Sequence, residues 1–177
     1  SLSNIKVLCM DKTGTLTANK INYDDIRVLN LDKVRVQRLL ADFAHSASVT
    51  NRTSEAIIDG LAGTARTPVD EVTFSSARKW SALSFDDEDM RGVYVLGAPA
   101  MMERYLPQNT DLKPMMKLLT ELGMRVLLFA YNPAVTPLYD ADDKPQLTPL
   151  TPLGLVSFSD ELRPHLKETL RGFIRAG

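Results

Sequence analysis

The chain has 177 residues, 44% of them hydrophobic and 24% charged, with a formal net charge of -1 and a pI near 6.1. Those values describe one large folded domain, or one domain with a piece of another, and exclude a disordered chain and an electrostatic binder of nucleic acid or acidic membranes. No apolar run approaches the roughly 20 residues a bilayer-spanning helix needs, and no secretory leader is visible. The single Cys9 excludes an internal disulfide and agrees with a reducing compartment. Between Leu8 and Met10 it reads as a buried core thiol. His45 and His165, the other two soft-metal candidates, offer no ligand spacing with it.

In chain order, "IKVLCM" from Ile5 to Met10 reads as a buried, parallel strand bounded by polar residues. The loop "DKTGTLT", Asp11 to Thr17, follows it. "INYDDIRVLNL" has strand character at its two ends. Asp32 caps a predicted helix running to about His45, with Val36, Leu39, Leu40, Phe43 and Ala47 on one stripe. A second helix starts at Thr53 or Ser54 and carries Ile57, Ile58 and Leu61, which makes a helical hairpin. "EVTFSS", "WSALSF" and "GVYVLG" predict an antiparallel meander. The acids Asp86 to Asp89 form a solvated hairpin tip in it, since they lack the ligand spacing and glycine of a calcium loop. Pro99 opens another helix, and Leu112 to Leu122 forms the next, which Gly123 stops. "RVLLFAY" is a strand. The proline-rich stretch from Asn132 to Pro152 reads as a long surface connection, "LGLVSFS" as a strand, and Arg163 to Ala176 as a helix with Pro164 in its first turn. Strand-like ends around a mixed middle with its own core suggest a domain inserted into another.

Asp11 stands where a strand ends and a loop of small residues begins. Such a loop brings backbone N–H groups to an anion, with Gly14 permitting close approach and Thr13, Thr15 and Thr17 adding hydroxyls. An aspartate held there can attack a phosphoryl group. It can equally be a metal ligand, or a cap in a threonine-rich turn.

The whole motif resembles the phosphorylation signature of P-type (E1-E2) ATPases, within the haloacid dehalogenase superfamily. Other stretches agree in order. "FSSARKWS" from Phe74 is similar to F-S-x-x-R-K-x-x-S, "LGAPAMM" from Leu96 to K-G-A-P-E, "GMRVLLFA" to G-x-R-V-L-x-x-A, and "SDELRP" to the D-P-x-R hinge. The resemblance implies a fold of mixed α+β and α/β class, with an antiparallel-sheet nucleotide-binding domain carrying helical hairpins and inserted into a partial phosphorylation domain. The implied boundaries are 1–19 and 153–177 for the phosphorylation domain and 20–152 for the nucleotide-binding domain. It further implies that Asp11 is the residue phosphorylated by ATP, with Lys12 adding positive charge. Thr13 stands where the superfamily's phosphatases carry a second aspartate, so water lacks a local base and the aspartyl-phosphate persists. Asp11 and the Thr13 carbonyl would supply part of a magnesium site.

For ATP or ADP, the resemblance implies Phe74 stacking on adenine, Lys79 and Arg78 near phosphate, Gly97 in the pocket wall, Arg125 reaching the phosphates and Glu55 near the adenine amino group. Two positions depart from the pattern. Leu96 replaces the pocket lysine and Ala100 the glutamate of the K-G-A-P-E box. An L-G-A-P version is similar to that of a bacterial subgroup associated with cation transport, calcium among the candidates. The family's T-G-D, G-D-G-x-N-D and T-G-E loops and its transmembrane helices are absent from the 177 residues. The expectation is therefore an inactive cytoplasmic excerpt of a plasma-membrane cation pump, whose partners are its own actuator domain and membrane helices. A free-standing phosphatase of the same superfamily and a non-catalytic nucleotide-binding module are the alternatives.

Overall fold

The computed structural model describes residue 9 and residues 16–29, 31–164 and 166–176. Within these the elements are β1 (Thr17–Val28), α1 (Lys33–Ser46), α2 (Arg52–Gly60), β2 (Asp70–Val72), β3 (Trp80–Asp86), β4 (Arg91–Gly97), α3 (Pro99–Met102), α4 (Lys113–Glu121), β5 (Arg125–Asn132), β6 (Thr151–Leu162) and α5 (Leu166–Ala176). The strands form one six-stranded sheet in the order β1-β6-β5-β4-β3-β2, and every pairing from β2 through to β6 is antiparallel. The chain divides into two compact units, Asn22–Ser159 and a smaller one made of Ser1–Ile21 with Asp160–Gly177. In the smaller unit the Arg163 amide donates to the Leu16 carbonyl at 3.0 Å, and Thr17 is buried.

In the larger unit both faces of the sheet are covered, which is why β4 is buried at every position after Arg91. One face carries Trp80, Ala82, Val93, Val95, Leu128, Ala130 and Leu155. Met102 of α3 and Leu119 of α4 belong to the same core cluster. The other face is aromatic. Tyr94 stacks between Phe129 (centroids 6.0 Å) and its cross-strand partner Tyr131 (5.9 Å), and α1 adds Phe43 edge-on to Phe129 at 5.7 Å. Burying each such ring contributes about 1.5–3 kcal/mol, with edge and stacking geometry adding to it.

Local chemistry sets the element ends. The Asp32 carboxylate accepts from the Arg35 amide at 2.9 Å and starts α1 as expected. The start of α2 falls earlier than expected, because Asn51 caps it and forms a reciprocal box with Ser54. Gly123 ends α4 with φ of 75°, a conformation that favours glycine.

Several expectations are corrected. Residues 17–28 form one continuous strand rather than two strand-like ends. The segment "FSS" is not part of a strand; β2 ends at Val72 and a turn intervenes before β3. The proline-rich connection is not merely a surface crossing. Leu138, Leu147 and Leu150 are buried in the core, while the Leu138 amide donates to Asp70 at 3.0 Å and the Tyr139 hydroxyl to the Glu71 carbonyl at 3.0 Å. Helix α5 begins at Leu166, so Pro164 precedes it rather than sitting in its first turn. Cys9 is exposed and lies in no strand, the arrangement that was to bury its thiol. The antiparallel sheet also takes in Leu153–Phe158, which the sequence assigns to the return segment. That run is buried throughout because both faces of the sheet are covered there, and its one polar side chain, Ser157, donates to Asp24 at 3.0 Å.

Candidate functional site

The F-S-x-x-R-K stretch forms a tight turn over residues 73–79 that feeds into β3. The carbonyl of Ser75 accepts from the Lys79 amide at 2.7 Å, and its hydroxyl accepts from the Arg78 amide at 3.2 Å. Serine suits this position because it offers both groups within one turn. The turn ends on Lys79 at φ 58°, left-handed for a residue that is not glycine. Phe74 projects from the turn with 48% of its surface exposed. An exposed phenylalanine beside an exposed, backbone-strained lysine is the arrangement expected of a ligand contact rather than of a core.

The adjoining strand brings the second motif to the same place. Trp80 pairs with Gly97, and the Ala98 amide donates to the Lys79 carbonyl at 2.9 Å. A side chain at Gly97 would collide with Trp80 Cβ and lie 2.9 Å from the Lys79 carbonyl oxygen, so glycine is what allows the G-A-P box to close on the turn. Leu96 faces Ser81 on one side and Phe129 on the other, buried to 6% exposure. Where the family pattern has a lysine, this chain therefore has an apolar wall.

Arg125 opens β5 and pairs with Phe158. By strand alternation it shares a face with Leu127 and Phe129, and hence with Leu96, at the sheet end where β3 starts and β4 finishes. Its side chain is exposed. Glu55 lies in the first turn of α2 and is exposed. Among the described residues, no hydrogen bond or ion pair ties its carboxylate to another candidate. Arg78 is half-buried. Its guanidinium turns back on the turn, donating to the Thr73 carbonyl at 2.8 Å and covering the Trp80 ring at 5.6 Å. Asp11, Lys12 and Thr13, with the magnesium ligation expected of Asp11 and Thr13, lie outside the described residues. Among the described residues no group of three His, Cys, Asp or Glu side chains could hold a metal ion, and no helix is long and apolar enough to cross a membrane.

Two features went unread in the sequence. One is Trp80, whose stacking on Arg78 belongs to the candidate site; the Arg-x-Trp spacing was its only signal. The other is Arg66, whose side chain is 11% exposed. It bridges buried Asp42 at 3.0 Å to the acidic hairpin tip through Asp87 at 3.0 Å and Asp89 at 3.6 Å. The tip is thus tied down rather than simply solvated. The Asp87 carboxyl is held below the usual carboxylate range, chiefly by the Asp89 amide; desolvation opposes this, and the Arg66 guanidinium adds to the lowering.

No family model matches the chain. Curated relatives do. The chain is 31% identical over 178 residues to the calcium-transporting ATPase CtpE of Mycolicibacterium smegmatis, covering 97% of this chain and 20% of that protein. It is 27% identical over 174 residues to the probable cation-transporting ATPase exp7 of Streptococcus pneumoniae, covering 96% of this chain and 21% of the relative. It therefore spans about a fifth of the length of these relatives. Crystal structures of a zinc-transporting PIB-type ATPase, in two states, share its fold. In one state the TM-score is 0.60 at 19% identity, over 94% of this chain and 23% of that one. In the other it is 0.62 at 18% identity, over 99% and 25%.

Proposed function

We propose that this chain, which belongs with the cation-transporting P-type ATPases, is the part of such a pump that binds ATP and carries the aspartate its γ-phosphate is transferred to. Residues 20–152 are read as the nucleotide-binding domain, flanked at 1–19 and 153–177 by segments of the phosphorylation domain. One observation supports the nucleotide reading most. The turn at 73–79, with exposed Phe74 and left-handed Lys79, is bonded directly to the Gly97–Ala98 step, so two sequence motifs about 20 residues apart form one surface.

In this reading the Phe74 ring takes the adenine face, an interaction of roughly 1–3 kcal/mol per base. Lys79 meets phosphate as a point charge. Arg125 stands on the same face to do likewise, and Gly97 keeps the wall low. Leu96 supplies apolar surface in place of a charged contact of about 1.5–3 kcal/mol, so ATP binds weakly. Asp11 is the acceptor. The attacking carboxylate oxygen forms a bond to the γ-phosphorus as the bond to the β–γ bridging oxygen breaks, and ADP leaves. Thr13, having no carboxylate, cannot activate water against the acyl-phosphate. Magnesium, when bound, neutralises phosphate charge. The cation carried across the membrane is calcium or another cation.

Titration of the chain with ATP, followed by backbone NMR shifts, tests the site. The shifts should cluster at residues 73–79 and 96–98, and Phe74→Ala should weaken binding about ten- to a hundredfold. Equal affinities for mutant and wild type would reject the assignment.

A further inference from the structure

Arg78 sits inside the F-S-x-x-R-K motif, where a cation is expected to face phosphate, yet its guanidinium is engaged elsewhere. Nη2 donates to the Thr73 carbonyl at 2.8 Å, and Cζ lies 5.6 Å from the Trp80 ring centroid. The backbone amide of Arg78 is taken by the Ser75 hydroxyl. Its Nε is buried and makes no hydrogen bond. An unmet buried donor is costly, so the ring and the carbonyl must outweigh that cost to hold the group in place. The two ends of this clamp are not arbitrary. Thr73 immediately precedes Phe74, whose ring is half exposed, and Trp80 is anchored in the sheet, 4% exposed and paired with Gly97.

We propose, resting on the nucleotide reading of the same turn, that Arg78 is a positioning residue. It ties the Thr73 carbonyl to the fixed Trp80 ring and so sets the direction of Phe74 for the base, without itself touching the nucleotide. A fork-shaped guanidinium is suited to this, because one planar group can stack on a ring and donate sideways at once. Its contribution therefore falls on base recognition, and no part of it depends on how many phosphates the ligand carries.

That independence separates positioning from direct contact. Adenosine, ADP and ATP are titrated against the 177-residue chain as wild type, Phe74→Ala, Arg78→Ala and Arg78→Lys. Emission of Trp80, the single tryptophan, and thermal midpoints are recorded for each. Arg78→Ala should weaken all three ligands by one common factor, about three- to tenfold, and shift the Trp80 emission to the red as the ring loses its cover. Arg78→Lys keeps a cation near the ring but lacks the fork, so it should fall between wild type and alanine. Should Arg78→Ala not fold, the lysine variant carries the same comparison. A loss that grows from adenosine to ADP to ATP would make Arg78 a phosphate ligand and overturn the proposal. Unchanged affinities beside a shifted emission would also overturn it, leaving the clamp without a binding role. If Phe74→Ala itself leaves affinity unchanged, the nucleotide reading fails and the positioning role falls with it.

Discussion

Lys79 holds a φ of 58°, a conformation that costs a side-chain-bearing residue roughly 1–2 kcal/mol. The turn holds it there, since the Lys79 amide donates to the Ser75 carbonyl and its carbonyl accepts from the Ala98 amide; in the proposed reading the same geometry presents the cation beside Phe74. Lys79→Gly should therefore separate stability from binding. Relief of strain, partly offset by the greater freedom of glycine in the unfolded chain, should stabilise the fold by about 0.5–1 kcal/mol. ATP affinity should fall about tenfold with loss of the charge. Thermal melts paired with ATP titrations read both, and a destabilised variant with intact affinity would contradict the assignment. Gly97 is the opposite case. Its missing side chain is demanded by the Trp80 and Lys79 backbone, so Gly97→Val should damage fold and binding together, seen as a lower melting point and loss of ATP-induced shifts.

Between elements, Arg66 makes a largely buried polar tie. The Asp42 carboxylate is buried and accepts from the Thr64 amide at 2.8 Å and from Arg66 Nε at 3.0 Å. Arg66→Ala leaves that charge buried and uncompensated, so chemical denaturation should show a loss of about 3–5 kcal/mol. The hairpin-tip arm of the same network is pH-dependent. Folding depresses the Asp87 pKa, so its contribution is present above the ordinary carboxylate range. That contribution is lost as pH falls through the depressed folded value. Exchange of the Met90 amide, bonded to the Asp87 carbonyl at 3.2 Å, should show relatively more opening below about pH 4, and Asp87→Asn should erase that step. Much of this level was legible in the sequence. The cap at Asp32, the β3–β4 hairpin and the glycine stop at Gly123 are each written in adjacent residues. What was hidden depends on distant partners. Three leucines in a proline-rich stretch pack with the help of distant anchors, β2 for Leu138 and Tyr139 and the Tyr105 carbonyl for Leu150. β1 is continuous because Gly154 lets its backbone lie close, within 2.8 Å of the Arg27 carbonyl for any added Cβ. At the candidate site, the motif residues could be read as a set, but Arg78's turn towards Trp80 could not, because it follows from backbone geometry within the loop.

At the scale of the whole molecule, a chain matching about a fifth of its relatives' length is expected to bind ATP without turning it over. Phosphoryl transfer needs cations and metal ligands placed around the phosphate, and the family's loops for this are absent from the 177 residues. Incubated with ATP and magnesium, this chain should release no phosphate above background; Asp11-dependent turnover would instead favour a free-standing hydrolase. The most direct measurement of the central claim is labelling of the full-length protein with γ-labelled ATP, as wild type and as Asp11→Asn, followed by acid quench and hydroxylamine treatment. The wild type should carry an acid-stable, hydroxylamine-sensitive label, and Asp11→Asn should carry none while still binding ATP, since an amide cannot form the acyl-phosphate. A hydroxylamine-sensitive label retained by Asp11→Asn would place the acceptor elsewhere and contradict the account.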